Sequence, residues 1–210
     1  MRSGTQPKQR YRKRGSSGRK GARPLIAFFD YPDVFEDFYR HYGIGQCEFA
    51  TGWAAAGGNH RFLSVLQCTV GDVVWYCLSL KPELKEATQN VGGYRIRFVR
   101  SSWVHRTLWR AFFMPKMSWR WQRFYPAFAV AASYLAPLSM PLLRALLRDK
   151  PDFIVTQDYS SEKFDILVAI ARVLGVPVVA RHAGSSPDLY LARFIKRWTI
   201  PFGEQSAFEP

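Results

Sequence analysis

Acidic side chains are missing from two long parts of the chain. The first 23 residues contain nine Lys or Arg and no Asp or Glu, and residues 87–148 contain no acidic residue either. The whole chain of 210 residues has a formal net charge of +14. This balance predicts an anionic partner, which can be a phosphorylated substrate, an anionic membrane or a nucleic acid.

Cysteine is scarce, and its spacing matches no known framework. The three residues are Cys47, Cys68 and Cys77, with no C-x-x-C pair among them. An odd number without paired spacing argues against a disulfide framework or a zinc site and favours a reducing compartment. We interpret each thiol as a small core residue.

The sequence also lacks the common catalytic signatures. It has no Walker lysine motif, no G-x-S-x-G, no H-E-x-x-H and no D-x-D pair. The stretch 43–48 begins like a dinucleotide fingerprint, but Glu48 stands where the third glycine belongs. These absences argue against ATPase, hydrolase, metalloprotease and dehydrogenase functions, and we predict no metal and no cofactor.

Three parts are predicted along the chain. Residues 1–23 are expected to form a disordered basic tail, or alternatively a tether to anionic lipid or nucleic acid, and they lack the apolar stretch of a secretory signal. Residues 24–200 form a Rossmann-like domain, and residues 201–210 are interpreted as a truncated linker or tail. The hydrophobic content of 48% is typical of a globular protein.

Strands and helices alternate in the second half. The pattern predicts, in order, a helix over 140–148, a strand over 152–159, a helix from Ser160 or Ser161 to Gly175, a strand over 176–180 and a helix over 188–198. Short turns between these elements require right-handed crossovers and parallel strands. Such strands are covered on both faces, which explains the uninterrupted apolar run VPVVA.

The first half repeats the alternation less regularly. Strands are predicted over 24–30, 72–80 and 94–99, with a helix near 59–67 after a long polar connection. Five strands interleaved with helices predict an α/β fold with a doubly wound parallel sheet.

Polar side chains follow several predicted strands, where a doubly wound sheet binds its ligands. The candidate substrate-binding residues are Asp30 after the first strand, Gly57, Gly58 and Asn59 at the first long helix, Asp158 after the fourth strand, and Arg181, Gly184 and Ser185 after the fifth. His182 is the candidate catalytic residue. Alternatives remain open: Gly57–Gly58 as a simple turn, Asp158 as a helix cap, and His182 as a structural hydrogen-bonding residue.

The order of motifs from Leu142 onward resembles the N-terminal domain of family-4 glycosyltransferases of the GT-B type. Lys150-Pro151-Asp152 match the family's "kPD" strand, Gly175 the "lG" helix end, and Pro177-Val178-Val179 with His182 the "Pvv…HG" strand, although Ala183 intervenes before Gly184. Leu25–Phe29 and Gly57–Gly58 resemble the first strand and glycine-rich turn, which comes late because 31–56 are inserted.

The resemblance implies a hexosyltransferase-type enzyme that moves a sugar from a nucleotide-sugar donor to a lipid-linked or saccharide acceptor, as in the synthesis of cell-envelope polysaccharide. Gly57 and Gly58 would present amides to the donor diphosphate, and His182 would reach the transferring sugar or its phosphate. The family's donor-binding second domain does not follow Trp198. We therefore expect the chain to be inactive without a second domain or subunit. The alternative is a non-catalytic basic module that binds anionic membrane or RNA.

Basic and aromatic residues are interleaved from Ala87 to Arg148. This pattern is typical of an interfacial helix, with cations at lipid phosphates and indoles at the headgroup boundary. The predicted membrane-contact residues are Arg106, Trp109, Arg110, Trp119, Arg120 and Trp121. A solvated basic face and single-stranded nucleic acid binding are the alternatives, nucleic acid being the less favoured partner. We expect a cytoplasmic protein, peripheral on the inner face of the membrane.

Residues 126–143 are uncharged and could be mistaken for a membrane span. They contain Pro126, Pro137 and Pro141, so a kinked core helix is the favoured interpretation.

Overall fold

A computed structural model describes residues 22–30, 33–39, 43–51, 57–90, 92–112, 125–157 and 162–181. The strands are β1 (Leu25–Phe29), β2 (Asp72–Ser79), β3 (Glu86–Thr88), β4 (Arg95–Arg100), β5 (Phe153–Thr156) and β6 (Val178–Ala180). The helices are α1 (Phe35–Phe38), α2 (Gln46–Thr51), α3 (Gly57–Thr69), α4 (Trp103–Phe112), α5 (Tyr125–Leu135), α6 (Met140–Asp149) and α7 (Glu162–Leu174).

These strands form one sheet in the order β3-β4-β2-β1-β5-β6. All neighbours are parallel except β3, which pairs antiparallel with β4. The chain moves outward from β1 through β2 to β4, then returns to the other side of β1 with β5 and β6. Strand order therefore reverses beside β1, as it does at the ligand-binding crevice of Rossmann-like folds.

Both faces of the sheet are buried, because helices cover each side. Alternate residues of β1 point to opposite faces: Ile26 and Phe28 pack toward α1–α3, and Ala27 and Phe29 pack toward α6 and α7. Trp75 of β2 is fully buried on the first face. The α/β fold with a mostly parallel sheet flanked by helices is thus confirmed.

The predicted elements within the described ranges agree with the structure within a few residues, with three corrections. The stretch between β1 and α3, predicted as a long polar connection, contains the short helices α1 and α2. The three-residue strand β3 was not predicted, and it adds an antiparallel edge to a sheet expected to be wholly parallel. The prediction of a single kinked helix over 126–143 is wrong, since α5 ends at Leu135 and α6 begins at Met140. Pro137 cannot donate a helical hydrogen bond, and the Ser139 hydroxyl caps α6 by accepting from the Leu142 amide at 3.3 Å.

No helix within the described ranges is long and apolar enough to cross a membrane. Of the predicted parts, residues 1–21, the helix over 188–198 and the linker over 201–210 lie outside those ranges.

Two helices end in the left-handed backbone conformation with different residues. Gly175 follows α7 at φ +71°, and Lys150 follows α6 at φ +50° and ψ +63°. Glycine adopts this conformation without steric cost, whereas a side chain brings Cβ against the backbone. The end of α6 therefore carries strain that the end of α7 avoids.

We expect Lys150→Gly to raise the free energy of unfolding by about 0.5–1 kcal/mol, because it removes this strain. Urea denaturation measures the change. Lys150→Ala is the matched control and should bring no such gain, since alanine keeps the Cβ. A stability gain that is equal in both variants would contradict the strain argument.

Candidate functional site

Three chain segments leave the sheet side by side at its carboxyl edge. The strand register aligns Phe29 with Thr156 and Thr156 with Ala180, so the next residues, Asp30, Gln157 and Arg181, lie in a row. The amide of Gln157 donates to the carbonyl of Phe29 at 3.0 Å, and the amide of Arg181 donates to Thr156 at 2.8 Å. This row starts at β1, where strand order reverses.

Asn59 joins this row to the first turn of α3. Its Nδ2 donates to Asp30 Oδ1 at 2.7 Å and to Gln157 Oε1 at 2.6 Å. Asn59 and Asp30 are both buried. One amide group thus fixes the start of α3 against the ends of β1 and β5.

The Asp30 carboxylate is 6% exposed and is held from several sides. The Tyr39 hydroxyl donates to Oδ2, and the ammonium of Lys163, at the start of α7, donates to the main-chain carbonyl of Asp30. Burial raises the pKa of Asp30 to about 6, although the Tyr39 hydrogen bond, the charge of Lys163 and the Asn59 hydrogen bond all lower it. Desolvation is therefore only partly compensated.

Lys163 is itself buried beside a second carboxylate. Burial lowers the pKa of Lys163, while the negative charges of Asp33 and Asp30 raise it. Asp33 accepts a hydrogen bond from the Ser133 hydroxyl of α5, and burial raises its pKa. The two carboxylates and the ammonium form one charged cluster below the crevice, in which the positive charge of Lys163 compensates negative charge on the carboxylates.

A cavity adjoins this cluster on the protein side of Asp30. It is lined by side chains of β1, β2, α1 and α7, including Tyr39, Cys77 and Lys163, and its volume is about 10 Å³. That volume suits a single water molecule and is too small for a sugar. Cys77 is buried, which raises the pKa of its thiol and agrees with the prediction of a core residue. The same prediction is wrong for Cys47 and Cys68, which are exposed on α2 and α3.

The start of α3 offers backbone donors at the same edge. Gly57 and Gly58 are the first residues of this 13-residue helix, so their amides have no partner within the helix. A Cβ built on Gly58 would meet no atom within 4 Å. The Cβ position of Gly58 is therefore open, and the dipole at this end of the helix favours negative charge.

Arg181 stands over α3 from the end of β6. Its guanidinium carbon lies 4.3 Å from the ring centroid of Phe62, in the second turn of the helix. Among the described residues, its buried Nη1 atom has no hydrogen-bond partner. The Arg181 guanidinium and the positive end of the α3 dipole therefore both lie beside the row formed by the strand ends.

His60 follows Asn59 in sequence but points into the core. Its Nδ1 contacts the Tyr94 hydroxyl, and its ring lies 5.3 Å from that of Trp75. Burial lowers its pKa. His60 is therefore a packing residue, unlike its neighbour in the first turn.

The structure brings together Asp30, Asn59, Arg181 and the Gly57–Gly58 turn from the predicted site. Four other predicted residues lie outside the described ranges: Asp158, His182, Gly184 and Ser185. Sequence analysis did not single out Tyr39, Gln157 and Lys163. Gln157 immediately follows a predicted strand core, which is the signal that could have revealed it.

Three of the predicted membrane-contact residues lie on α4. Arg110 is exposed and Arg106 is half-buried. The indole N–H of half-buried Trp109 donates to Asp37 Oδ1 at 2.6 Å, which ties this ring to the α1 region. Trp119, Arg120 and Trp121 lie outside the described ranges.

We expect the ionisation of Asp30 to lower stability as the pH rises. Its pKa is 3.8 when unperturbed and about 6 in the fold, so the folded state holds the proton more tightly between these values. Relative to Asp30→Asn, the wild-type free energy of unfolding should therefore fall by about 2–3 kcal/mol from pH 4 to above pH 6.

Urea denaturation of both proteins across this range measures the difference. The variant is needed because His105 acts oppositely: burial, with a smaller effect of Arg106, lowers its pKa to about 4, so its contribution rises with pH. Parallel curves for wild type and variant would contradict the assignment to Asp30.

Neither a metal site nor a match to a known protein identifies this site further. In the parts of the chain described above, no group of three or more His, Cys, Asp or Glu side chains could hold a metal ion. No protein-family model matches the chain, and no curated protein or solved structure matches it either, so the resemblance to family-4 glycosyltransferases stays a prediction.

Proposed function

We propose that the chain is the acceptor-side, N-terminal half of a GT-B glycosyltransferase. It would move a sugar from a nucleotide-sugar donor to a saccharide or lipid-linked acceptor, with a second domain or subunit binding most of the donor. The observation that carries this proposal is the convergence of polar groups at the strand-order reversal: Asp30, Asn59, Gln157, Arg181 and the start of α3 share one edge.

Sugar transfer requires groups that stabilise a departing nucleoside diphosphate. The acceptor oxygen forms a bond to the anomeric carbon, the bond from that carbon to the diphosphate oxygen breaks, and the proton of the acceptor hydroxyl passes to solvent. Negative charge grows on the diphosphate, and aligned amides and cations lower the energy of that state. The amides of Gly57 and Gly58 and the guanidinium of Arg181 are suited to this task.

Asp30 acts in this proposal by positioning rather than by touching substrate. Its two carboxylate oxygens accept from Tyr39 and Asn59, and the residue is almost fully buried. The Asn59 amide is thereby held at the edge, where it meets Gln157. His182 follows Arg181 directly in the chain, and it remains our candidate for contact with the transferring sugar or its phosphate.

A second candidate is a non-catalytic basic module that binds anionic membrane or RNA. The net charge of +14 and the acid-free stretch over 87–148 favour it. This alternative predicts binding of anionic surfaces without any release of nucleoside diphosphate.

Gly58→Ala separates the fold from the site. Alanine fits the open space and is the better helix former, so the free energy of unfolding should stay unchanged or rise by up to about 1 kcal/mol. Sugar transfer should nevertheless fall by about tenfold or more, because the added methyl displaces the bound anion.

Release of nucleoside diphosphate from UDP- and GDP-sugars measures transfer, with the donor-binding half present as a fused or separate polypeptide. Gly45→Ala is the matched control, since a Cβ there also meets nothing within 4 Å and lies at the start of a different helix. Undiminished transfer by Gly58→Ala would remove this turn from the site.

His182→Ala should lower transfer by about a hundredfold while leaving the thermal midpoint unchanged, as expected for loss of a group that acts on the reacting centre. The same diphosphate-release assay applies, and circular dichroism checks the fold. Unchanged turnover would exclude His182 from the reaction.

The DNA after the codon of Pro210 tests the two-domain arrangement directly, because an open frame for a second Rossmann-like half is expected there or in a neighbouring gene.

A further inference from the structure

Four large apolar side chains are exposed around the start of α4. Trp103 is 71% exposed and Val104 43%. Leu138, in the connection between α5 and α6, is 53% exposed, and Met140, the first residue of α6, is 58% exposed. Single exposed apolar residues are ordinary, but a cluster of them on one surface marks an interaction site.

Hydrogen bonds hold these two segments side by side. The Ser102 amide donates to the carbonyl of Ala136 at 3.4 Å, and the Ser139 hydroxyl donates to the carbonyl of Arg100 at 2.5 Å. Helix α4 also packs against α5. The four exposed residues are sequence neighbours of the bonded ones, which brings them to the same part of the protein surface.

Three arginines border this surface. Arg100 and Arg110 are exposed, and Arg106 lies between them in sequence. Arg106 and Arg110 lie one turn apart on the same face of α4. Burial lowers the pKa of Arg106, and the charges of Arg100 and Arg110 lower it further. Together with Trp103, Val104, Leu138 and Met140 they form what we call the apolar–basic patch.

The patch lies at the same edge of the sheet as the candidate site. Arg100 is the last residue of β4, and α4 begins at Trp103 just beyond it. The carboxyl ends of parallel strands meet at one edge, so Arg100 and Asp30 mark two points on the same rim.

We propose that the apolar–basic patch docks the protein on an anionic lipid bilayer, with the crevice at Asp30 turned toward the membrane. In combination with the proposed glycosyl transfer, on which this step rests, the acceptor would then be a lipid-linked molecule. Docking itself is independent of the sugar chemistry.

The chemistry of the patch favours lipid over other occupants. Indole and aliphatic side chains partition into the headgroup boundary, while the arginines pair with lipid phosphates. Single-stranded RNA is bound through stacked aromatic rings, and only one of the four exposed apolar residues is aromatic. A second copy of the chain would place three arginines against the same three, which like-charge repulsion opposes.

Trp109, which the sequence predicts as a membrane contact, is half-buried on α4. Its indole N–H is bonded to Asp37, whereas Trp103 exposes most of its ring. The indole expected to enter the headgroup region is therefore that of Trp103.

Vesicle cosedimentation of the full chain tests the proposal. The probes are vesicles of phosphatidylcholine alone and of phosphatidylcholine mixed with phosphatidylglycerol, each across a salt series. Trp103→Ala with Met140→Ala should weaken binding to the mixed vesicles by about tenfold or more, since two apolar anchors are lost. Arg100→Glu with Arg110→Glu should weaken it at least as much at low salt and less at high salt.

Matched controls come from α7, on another surface of the molecule. Val173 is 80% exposed and Arg172 is exposed, so Val173→Ala and Arg172→Glu make one apolar truncation and one charge reversal outside the patch. They should bind within about twofold of wild type, allowing for the general loss of charge. Every protein keeps the basic tail, whose contribution is then common to all.

Equal binding by the patch variants and wild type would overturn the proposal and leave the tail as the lipid-binding element. The proposal would also be overturned if the patch variants lost binding to single-stranded RNA and kept their binding to vesicles. Quenching by brominated lipids should decrease in Trp103→Phe while cosedimentation is retained, and unchanged quenching would exclude insertion of this residue. Normal docking together with no release of nucleoside diphosphate in the presence of the donor-binding half would refute only the transferase.

Discussion

The end of β1 imposes the constraint on which the rest of the site depends. This central strand is covered on both faces, so the polar groups where it stops must be satisfied by the protein itself. Tyr39, Asn59 and Lys163 come from three different helical regions and all bond to Asp30. The need to compensate one buried carboxylate thus draws α1, α3 and α7 to the same point of the sheet.

Much of the fold could be predicted because burial on both faces leaves a clear pattern. Uninterrupted apolar runs with helices between them require parallel strands, and the helix-stop signals at Lys150 and Gly175 place the boundaries. Strand β3 escaped prediction because its three residues, EAT, have no pattern of their own and are strands only through pairing with β4. The separation of α5 from α6 depends on Pro137 and the Ser139 cap acting together.

The candidate site could be predicted in part, since position after a strand indicates a crevice residue. Asp30 and Arg181 follow from that rule. Tyr39 and Lys163 do not, because their roles arise from reaching back across the fold to a carboxylate distant in sequence. Likewise, composition marked α4 as interfacial, but only the packing distinguishes exposed Trp103 from Trp109, whose N–H is bonded to Asp37.

The double hydrogen bond from Asn59 has a consequence for the orientation of its side chain. Its nitrogen faces two acceptors, so a rotated amide would bring oxygen against oxygen at both partners. A neutral Asp30 becomes a donor, and this penalty is then relieved at one of the two. The free-energy difference between the two orientations of this amide therefore depends on whether the carboxyl group beside it carries its proton, and amide nitrogen chemical shifts would make that visible.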